Sequence, residues 1–350
     1  MKIVVDEKIP YIKDALVAMG HDVVELPGVA ISRTDLLDAE ALFVRTRTCC
    51  DARLLQGTRV RFIGTATIGY DHIDAEYCAS AGICWTNAAG CNADAVLQYV
   101  QSVVCEWVRD NGRSLQGLVM GVVGVGEIGS RVARWASSVG MRTLLNDPPR
   151  ESAGEEGFVS LSTIATSCDI ITFHPTLSKE GASPSYHLAG EEFFASMKQC
   201  SLFINASRGA VVDNVALLSH MEHNPSLAVA LDVWEGEPDI NLSLLNKVYI
   251  ATPHIAGYSA EGKINATRIV LSKFAGYFGC ENLVPRLSLP SPASPVVEAC
   301  AMQDAFLKIY SPSTDSRALK GAPQKFEELR NNYNLRREPS AFDIKILQKR

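Results

Sequence analysis

The run "LVMGVV" passes directly into Gly124, Gly126 and Gly129, spaced GxGxxG, and the helical stretch "SRVARWA" follows without a break. A strand that turns over glycines straight into a helix constrains the fold strongly. The first glycine permits the tight turn, the second lets a pyrophosphate approach the backbone, and the third lets the helix pack on the strand. The unpaired N–H groups of the helix N-terminus then face the phosphates. An acid at the end of the next strand is expected to grip a ribose, and Asp147 in "TLLNDPP" lies 18 residues after Gly129. These residues predict a dinucleotide site built on Gly124, Gly126, Glu127, Ile128, Gly129 and Asp147. Asp147 would repel a 2'-phosphate even with Arg150 nearby, which favours NAD over NADP.

Apolar runs and helical patterns alternate on both sides of this turn. Before it come "KIVV", "ALFVRT", "RFIGTAT" and "ICWTNAA", separated by segments such as "YIKDALVAMG" and "DAEYCASAG". After it come "RTLLND", "DIITFH", "SLFINAS", "LAVALDV" and "VYIATP". Strand and helix in that rhythm argue for parallel βαβ units. Between the two series, "NADAVLQYVQSVVCEWVRDNG" carries apolar residues at helical spacing with an asparagine placed to cap it. The predicted class is α/β, with two doubly wound parallel-sheet domains, Rossmann-like or flavodoxin-like, and a small α+β C-terminal module. The second helical stretch "AEGKINATRIVLSKFAGYFGC" is expected to return to the first domain. The expected division is 1–95 with 258–284 for substrate and 96–257 for the dinucleotide. Residues 285–350 form a linker, opened by the proline-rich "PRLSLPSPASP", and a C-terminal dimerisation module.

Composition excludes several function classes. With 39 acidic against 33 basic residues spread over 350, the net charge of −6 leaves no basic stripe for nucleic acid and no polybasic membrane patch. No uninterrupted apolar run reaches a membrane-spanning length, and the expected location is the cytoplasm. The ten cysteines show neither CxxC nor Cys/His metal spacing, so the expectation is buried, reduced thiols and no metal.

In open α/β sheets the ligand crevice lies outside the carboxyl ends of the strands. "SLFIN" ends into "ASRGAVVD", placing Arg208. "LAVALDV" ends into "WEGEP", placing Glu237, and "VYIAT" ends into "PHIAG", placing His254. A guanidinium, a carboxylate and an imidazole thus come from three successive strands beside the dinucleotide turn. The fork of Arg208 suits a carboxylate, and imidazole exchanges a proton near neutral pH. A carboxylate from Glu237 fixes the tautomer of the His254 ring. The trio fits hydride transfer at a 2-hydroxy acid. His21, His72, His174, His187, His220 and His223 lack such convergence in the sequence.

"MGVVGVGEIGSRVA", "NASRGAVVDNVAL", "LDVWEGEP" and "TPHIAGYSAEG" resemble the signatures of the D-isomer-specific 2-hydroxyacid dehydrogenase family. The resemblance runs from Met1 to about Pro339. It implies NAD-dependent oxidation of 4-phospho-D-erythronate at C2, giving 2-oxo-3-hydroxy-4-phosphobutanoate, by a homodimer in vitamin B6 biosynthesis. It also implies catalytic roles for Arg208, Glu237 and His254, and cofactor contacts by Pro175, Ala206, Ser207, Asp232 and Gly257. Substrate contacts fall on Thr46, Thr67 and Tyr258, and charge alone adds Arg45 or Arg47 for the phosphate. The chain departs from the family pattern at "HPTL", at Gln98 and at Ala206, and its C-terminal module is expected to be short. Two rivals remain: another acid such as 3-phosphoglycerate or glycerate, and a scaffold that senses the NAD/NADH ratio.

Overall fold

The computed structural model describes residues 1–199 and 201–347, so Cys200 lies outside the described residues. The chain divides into two compact units, Met1–Asn92 with Ser259–Ser291, and Ala93–Tyr258 with Pro292–Arg350.

The first unit holds strands β1 (Lys2–Asp6), β2 (Asp22–Leu26), β3 (Ala41–Val44), β4 (Phe62–Thr65) and β5 (Cys84–Asn87). They pair in parallel in the order β2-β1-β3-β4-β5. Alternate residues feed opposite faces. Ile3, Val5 and Phe43 enter one core with Phe274, while Val4, Leu42 and Val44 enter the other with Ile63. Such double burial explains why these strands read as continuous apolar runs. Helix Ala260–Phe278 covers the first face, where Phe274 is fully buried against Phe43 and Phe62. Each large side chain buried this way contributes roughly 1.5–3 kcal/mol.

The second unit holds β6 (Val119–Val123), β7 (Arg142–Asn146), β8 (Ile170–Phe173), β9 (Leu202–Asn205), β10 (Ala228–Leu231) and β11 (Ile250–Ala251). Their order is β11-β10-β9-β8-β6-β7, every pair parallel. A parallel bridge from Leu145 to Phe158 extends the sheet past β7. The chain reverses its direction of winding between β6 and β8, and ligands bind at such a switch point. Helix Ala93–Asp110 packs Val96, Tyr99, Val103 and Trp107 into the core under Met120, Val122 and Ile204. Those steps of three and four residues, i, i+3, i+7 and i+11, keep them on one helical face. Asn92 does not act as a side-chain cap, since its Oδ1 accepts no hydrogen bond.

The C-terminal segment, expected as a linker and dimerisation module, is anchored within the second unit. A two-stranded parallel sheet, β12 (Val296–Ala299) with β13 (Asp343–Ile346), accompanies helices Met302–Ile309, Pro312–Gly321 and Phe326–Asn331. Leu319 and Phe326 belong to a core cluster of the second unit. Ser311 and Ser313 both donate to buried Glu106 at 2.8 Å. The Ala251 N–H donates to Ser316 Oγ at 3.0 Å, so helix Pro312–Gly321 satisfies a donor of edge strand β11. The division also places Tyr258 with the second unit, because its N–H donates to Ile255 O and its hydroxyl meets Arg330.

The described cysteines are all free, but not all buried: Cys49, Cys84 and Cys300 are exposed. Burial pushes the thiol of Cys78 up to about 11 and those of Cys105 and Cys168 up to about 12. These three are inert packing groups. Among the described residues, no helix is long and apolar enough to cross a membrane.

Candidate active site

Three loops at the carboxyl ends of β9, β10 and β11 build the site in the second unit. After β9, fully buried Asn205 folds the chain back on itself. Its Oδ1 accepts from the Ser207 N–H and hydroxyl at 3.1 and 2.7 Å, and its Nδ2 donates to Arg208 O at 3.0 Å. That local ring leaves the Arg208 side chain exposed, with Nη1 donating to Ser207 O at 2.8 Å. A Cβ on Gly209 would lie 2.0 Å from Trp234 O, so this loop runs hard against the one after β10.

The β10 loop is fixed by its own acid. The Trp234 N–H donates to Glu237 Oε1 at 2.8 Å, and the indole donates to Thr252 O at 3.0 Å. Glu237 keeps its other oxygen for the β11 loop, where His254 Nδ1 lies 2.8 Å from Oε2. A carboxylate accepts only, so Nδ1 carries the proton and Nε2 is left as the acceptor. Among the described residues Nε2 has no hydrogen-bond partner. His254 sits at φ 58°, in the left-handed region, and its N–H donates to Asp232 O at 2.8 Å. A residue held in that region implies that its surroundings over-determine it.

Asp232 and Arg336 supply that determination. Asp232 is 1% exposed; it accepts from the Thr252 hydroxyl at 2.7 Å and from the N–H groups of Ile255 and Ala256 at 2.8 and 2.9 Å. Burial raises its carboxyl above the usual range, against the opposing pull of the His254 charge and of these donors. Arg336 Nη1 donates to Ile255 O at 2.9 Å, and Nη2 donates to Ala256 O and, at 3.0 Å, to Ala95 O. Its Nε donates to Gln98 Oε1 at 3.0 Å, and the guanidinium lies 4.4 Å over the Tyr310 ring. Sequence reasoning missed Arg336 altogether. The departure at Gln98 was the available signal, since a neutral amide there is what Arg336 binds.

The glycine turn passes the fit test for a dinucleotide. Gly124 has φ 83°, and a Cβ there would stand 2.5 Å from Pro175 N. A Cβ on Gly129 would stand 2.0 Å from Gly124 O, whereas one on Gly126 would meet nothing within 4 Å. The middle glycine therefore faces open space at the N-terminus of helix Glu127–Ser138, where phosphate would approach. Asp147 Oδ2 accepts from the Val125 N–H at 2.7 Å, which ties the acid to the turn. Arg150 is taken by Glu155 and by Val125 O, and so is no longer a reader of a 2'-phosphate. His174 Nδ1 is buried without a partner among the described residues, and burial pushes the ring down to about 3, so the imidazole stays neutral.

Other expected contacts fall less directly. Glu127 is exposed and pairs with Arg131 at 2.7 Å, while Ile128 and Ala206 pack into the core. Both oxygens of Asp232 and the hydroxyl of Ser207 serve the loops, and Gly257 is half-buried. In the first unit Arg45 and Thr46 follow β3 and Thr67 follows β4, the neighbouring strand. Thr46 is exposed, and Thr67 Oγ1 donates to Gly69 O at 2.8 Å. His187, set aside on sequence, does converge: its Nε2 lies 2.7 Å from Glu235 Oε1 and its Nδ1 3.5 Å from Asp213 Oδ2. No local pattern in the sequence marks this group, since His187 and Glu235 stand 48 residues apart.

Residues 93–256 match the family model described as D-isomer specific 2-hydroxyacid dehydrogenase, NAD binding domain. An erythronate-4-phosphate dehydrogenase of Bacteroides thetaiotaomicron is 48% identical over 345 residues, which cover 98% of this chain and 99% of that one. The chain belongs to the D-isomer specific 2-hydroxyacid dehydrogenase family. A second family member, an erythronate-4-phosphate dehydrogenase of Escherichia coli O157:H7, is 42% identical over 98% of this chain and 94% of its own. The NAD+-bound 3-phosphoglycerate dehydrogenase of Entamoeba histolytica shares the fold with a TM-score of 0.64, at 25% identity over 83% of this chain and 99% of that one. Against the Bacteroides relative the C-terminal segment is not short, since that alignment spans both chains almost fully.

Proposed function

We propose that this chain oxidises 4-phospho-D-erythronate at C2 with NAD, releasing 2-oxo-3-hydroxy-4-phosphobutanoate in vitamin B6 biosynthesis. The observation that carries the reading is the 2.8 Å contact of His254 Nδ1 with Glu237, which leaves Nε2 as an acceptor after β11, in the same sheet whose strand β9 leads into exposed Arg208. The relatives named for this substrate, similar over nearly the full chain, support the choice of acid.

The chain's residues divide the work. The turn Gly124–Gly129 and Asp147 hold the dinucleotide, with Pro175 closing against Gly124. NAD supplies the hydride acceptor when bound. Arg208 takes the substrate carboxylate with a charge-assisted fork. His254 Nε2 accepts the C2 hydroxyl proton, and Glu237 fixes the tautomer and stabilises the imidazolium that forms. The family resemblance adds Thr46, Thr67 and Tyr258 as substrate contacts, and charge adds Arg45 or Arg47.

The same reading makes the protein a cytoplasmic homodimer. Free cysteines support a reducing compartment. Val296, Met302, Ile346 and Leu347, all more than 40% exposed in the C-terminal segment, support burial against a second copy.

The test is NADH formation from 4-phospho-D-erythronate, 3-phosphoglycerate and D-erythronate, compared by kcat/KM. The reading fails if 3-phosphoglycerate is the preferred acid, or if no acid is oxidised by a protein that binds NAD.

A further inference from the structure

We propose that Arg330 binds the phosphate of the substrate, a role that rests on the function proposed above. Arg330 projects from helix Phe326–Asn331, anchored four residues earlier by Phe326, which is 1% exposed. Its Nε donates to the Tyr258 hydroxyl at 3.4 Å, and its Nη1 lies 4.0 Å from Glu237 Oε2. Both contacts stand at the outer limit of their kind. Nη2 has no hydrogen-bond partner among the described residues, and the side chain remains one-third exposed, at 33%.

A guanidinium has five donors in a fixed fork, and this one spends almost none of them on the protein. It is nevertheless held beside Glu237 and Tyr258, two residues assigned to the reaction and the substrate. The acid to be bound has two anionic ends. Arg208 serves the carboxylate, and a phosphate several bonds away needs its own donors. Arg330 offers them on the same unit, with Tyr258 steering the fork.

The bland alternative is an ion pair that only neutralises Glu237. At 4.0 Å and with partial exposure such a pair contributes little. It would also act on the proton transfer, and so would affect phosphorylated and unphosphorylated acids alike. Arg45 and Arg47 are the guanidinium groups that charge alone offers for the phosphate, and Arg45→Gln and Arg47→Gln measure them separately.

The experiment compares the parent, Arg330→Gln and Arg330→Lys on 4-phospho-D-erythronate and D-erythronate, by kcat/KM at sub-saturating acid. Losing a charge-assisted fork should lower the preference for the phosphorylated acid roughly 10- to 100-fold in Arg330→Gln, chiefly through KM, with partial recovery in Arg330→Lys. A preference that is unchanged, whether both acids lose equally or neither loses, overturns the assignment. A parent that oxidises neither acid overturns the proposed function instead, which keeps the two failures apart.

Discussion

Asp232 and Arg336 grip the backbone of the same two residues, Ile255 and Ala256. The acid accepts the N–H groups of Ile255 and Ala256 while the guanidinium donates to their carbonyl oxygens. Hydrogen bonds filled from both sides fix a backbone segment, because each of these buried groups left without a partner would cost its full desolvation. The residue just before this clamp is His254. Its left-handed backbone is therefore imposed from the far end of the chain.

Replacing Arg336 by methionine should lower stability in urea titration by roughly 1–3 kcal/mol for each buried carbonyl left without its donor, those of Ala95, Ile255 and Ala256. Arg336→Lys keeps the charge but not the fork and should recover only part of that loss. kcat should fall in the folded fraction more than KM rises. Full stability and full kcat in Arg336→Met would show that the clamp positions nothing.

Glu237→Gln tests the tautomer. The amide can still accept from the Trp234 N–H, so the turn survives, but the Nδ1–H···carboxylate bond is lost. A positioned base with its orienting acid removed typically loses roughly 100- to 10,000-fold in kcat. Melting temperature should stay near that of the parent, and NAD titration should be unchanged. A kcat within about twofold of the parent would remove Glu237 from the mechanism.

Much of this site was legible because each of its parts follows a strand end. Arg208, Glu237 and His254 sit just after β9, β10 and β11, and continuous apolar runs marked where those strands stop. The edge strand β2, "DVVEL", escaped notice since its alternating pattern is half polar. Strand β12 was hidden in the proline-rich stretch, where "VVEA" is too short to stand out. Arg336, Arg330 and the His187 pair with Glu235 were illegible for another reason. They meet their partners across 48 to 241 residues of sequence, and no local pattern records such a contact. The anchors of the C-terminal segment were illegible for the same cause: Ser311, Ser313 and Ser316 are ordinary surface residues until Glu106 and Ala251 are placed beside them.

The three glycines of the turn should separate folding from cofactor binding. Gly129→Ala drives a methyl group to 2.0 Å from Gly124 O, and Gly124→Ala adds strain at φ 83°, so both variants should lose thermal stability with or without NAD. Gly126→Ala meets nothing within 4 Å and should melt like the parent. Its methyl group nevertheless fills the approach to the helix N-terminus, so NAD affinity should fall roughly tenfold or more by fluorescence titration. Normal NAD affinity in Gly126→Ala would place the dinucleotide elsewhere.

His174 makes stability depend on pH with a definite sign. Burial lowers its folded-state value to about 3 from an ordinary 6.5, with only Nε2 bonded, to the Thr172 hydroxyl at 2.9 Å. The unfolded chain therefore takes up a proton below about pH 6.5 that the folded chain refuses until near pH 3. The contribution of this group is fully present above the unfolded value and is lost as pH falls through the window between the two. Its slope is at most about 1.4 kcal/mol per pH unit. Urea unfolding of the parent and of His174→Asn at pH 7.5 and pH 5.5, roughly one unit either side of the unfolded value, isolates it. The parent should lose more stability between the two conditions than the variant does. Equal losses would mean that the imidazole takes up its proton in the folded protein, and so is not the neutral, sealed group beside the Gly124 turn that the geometry describes.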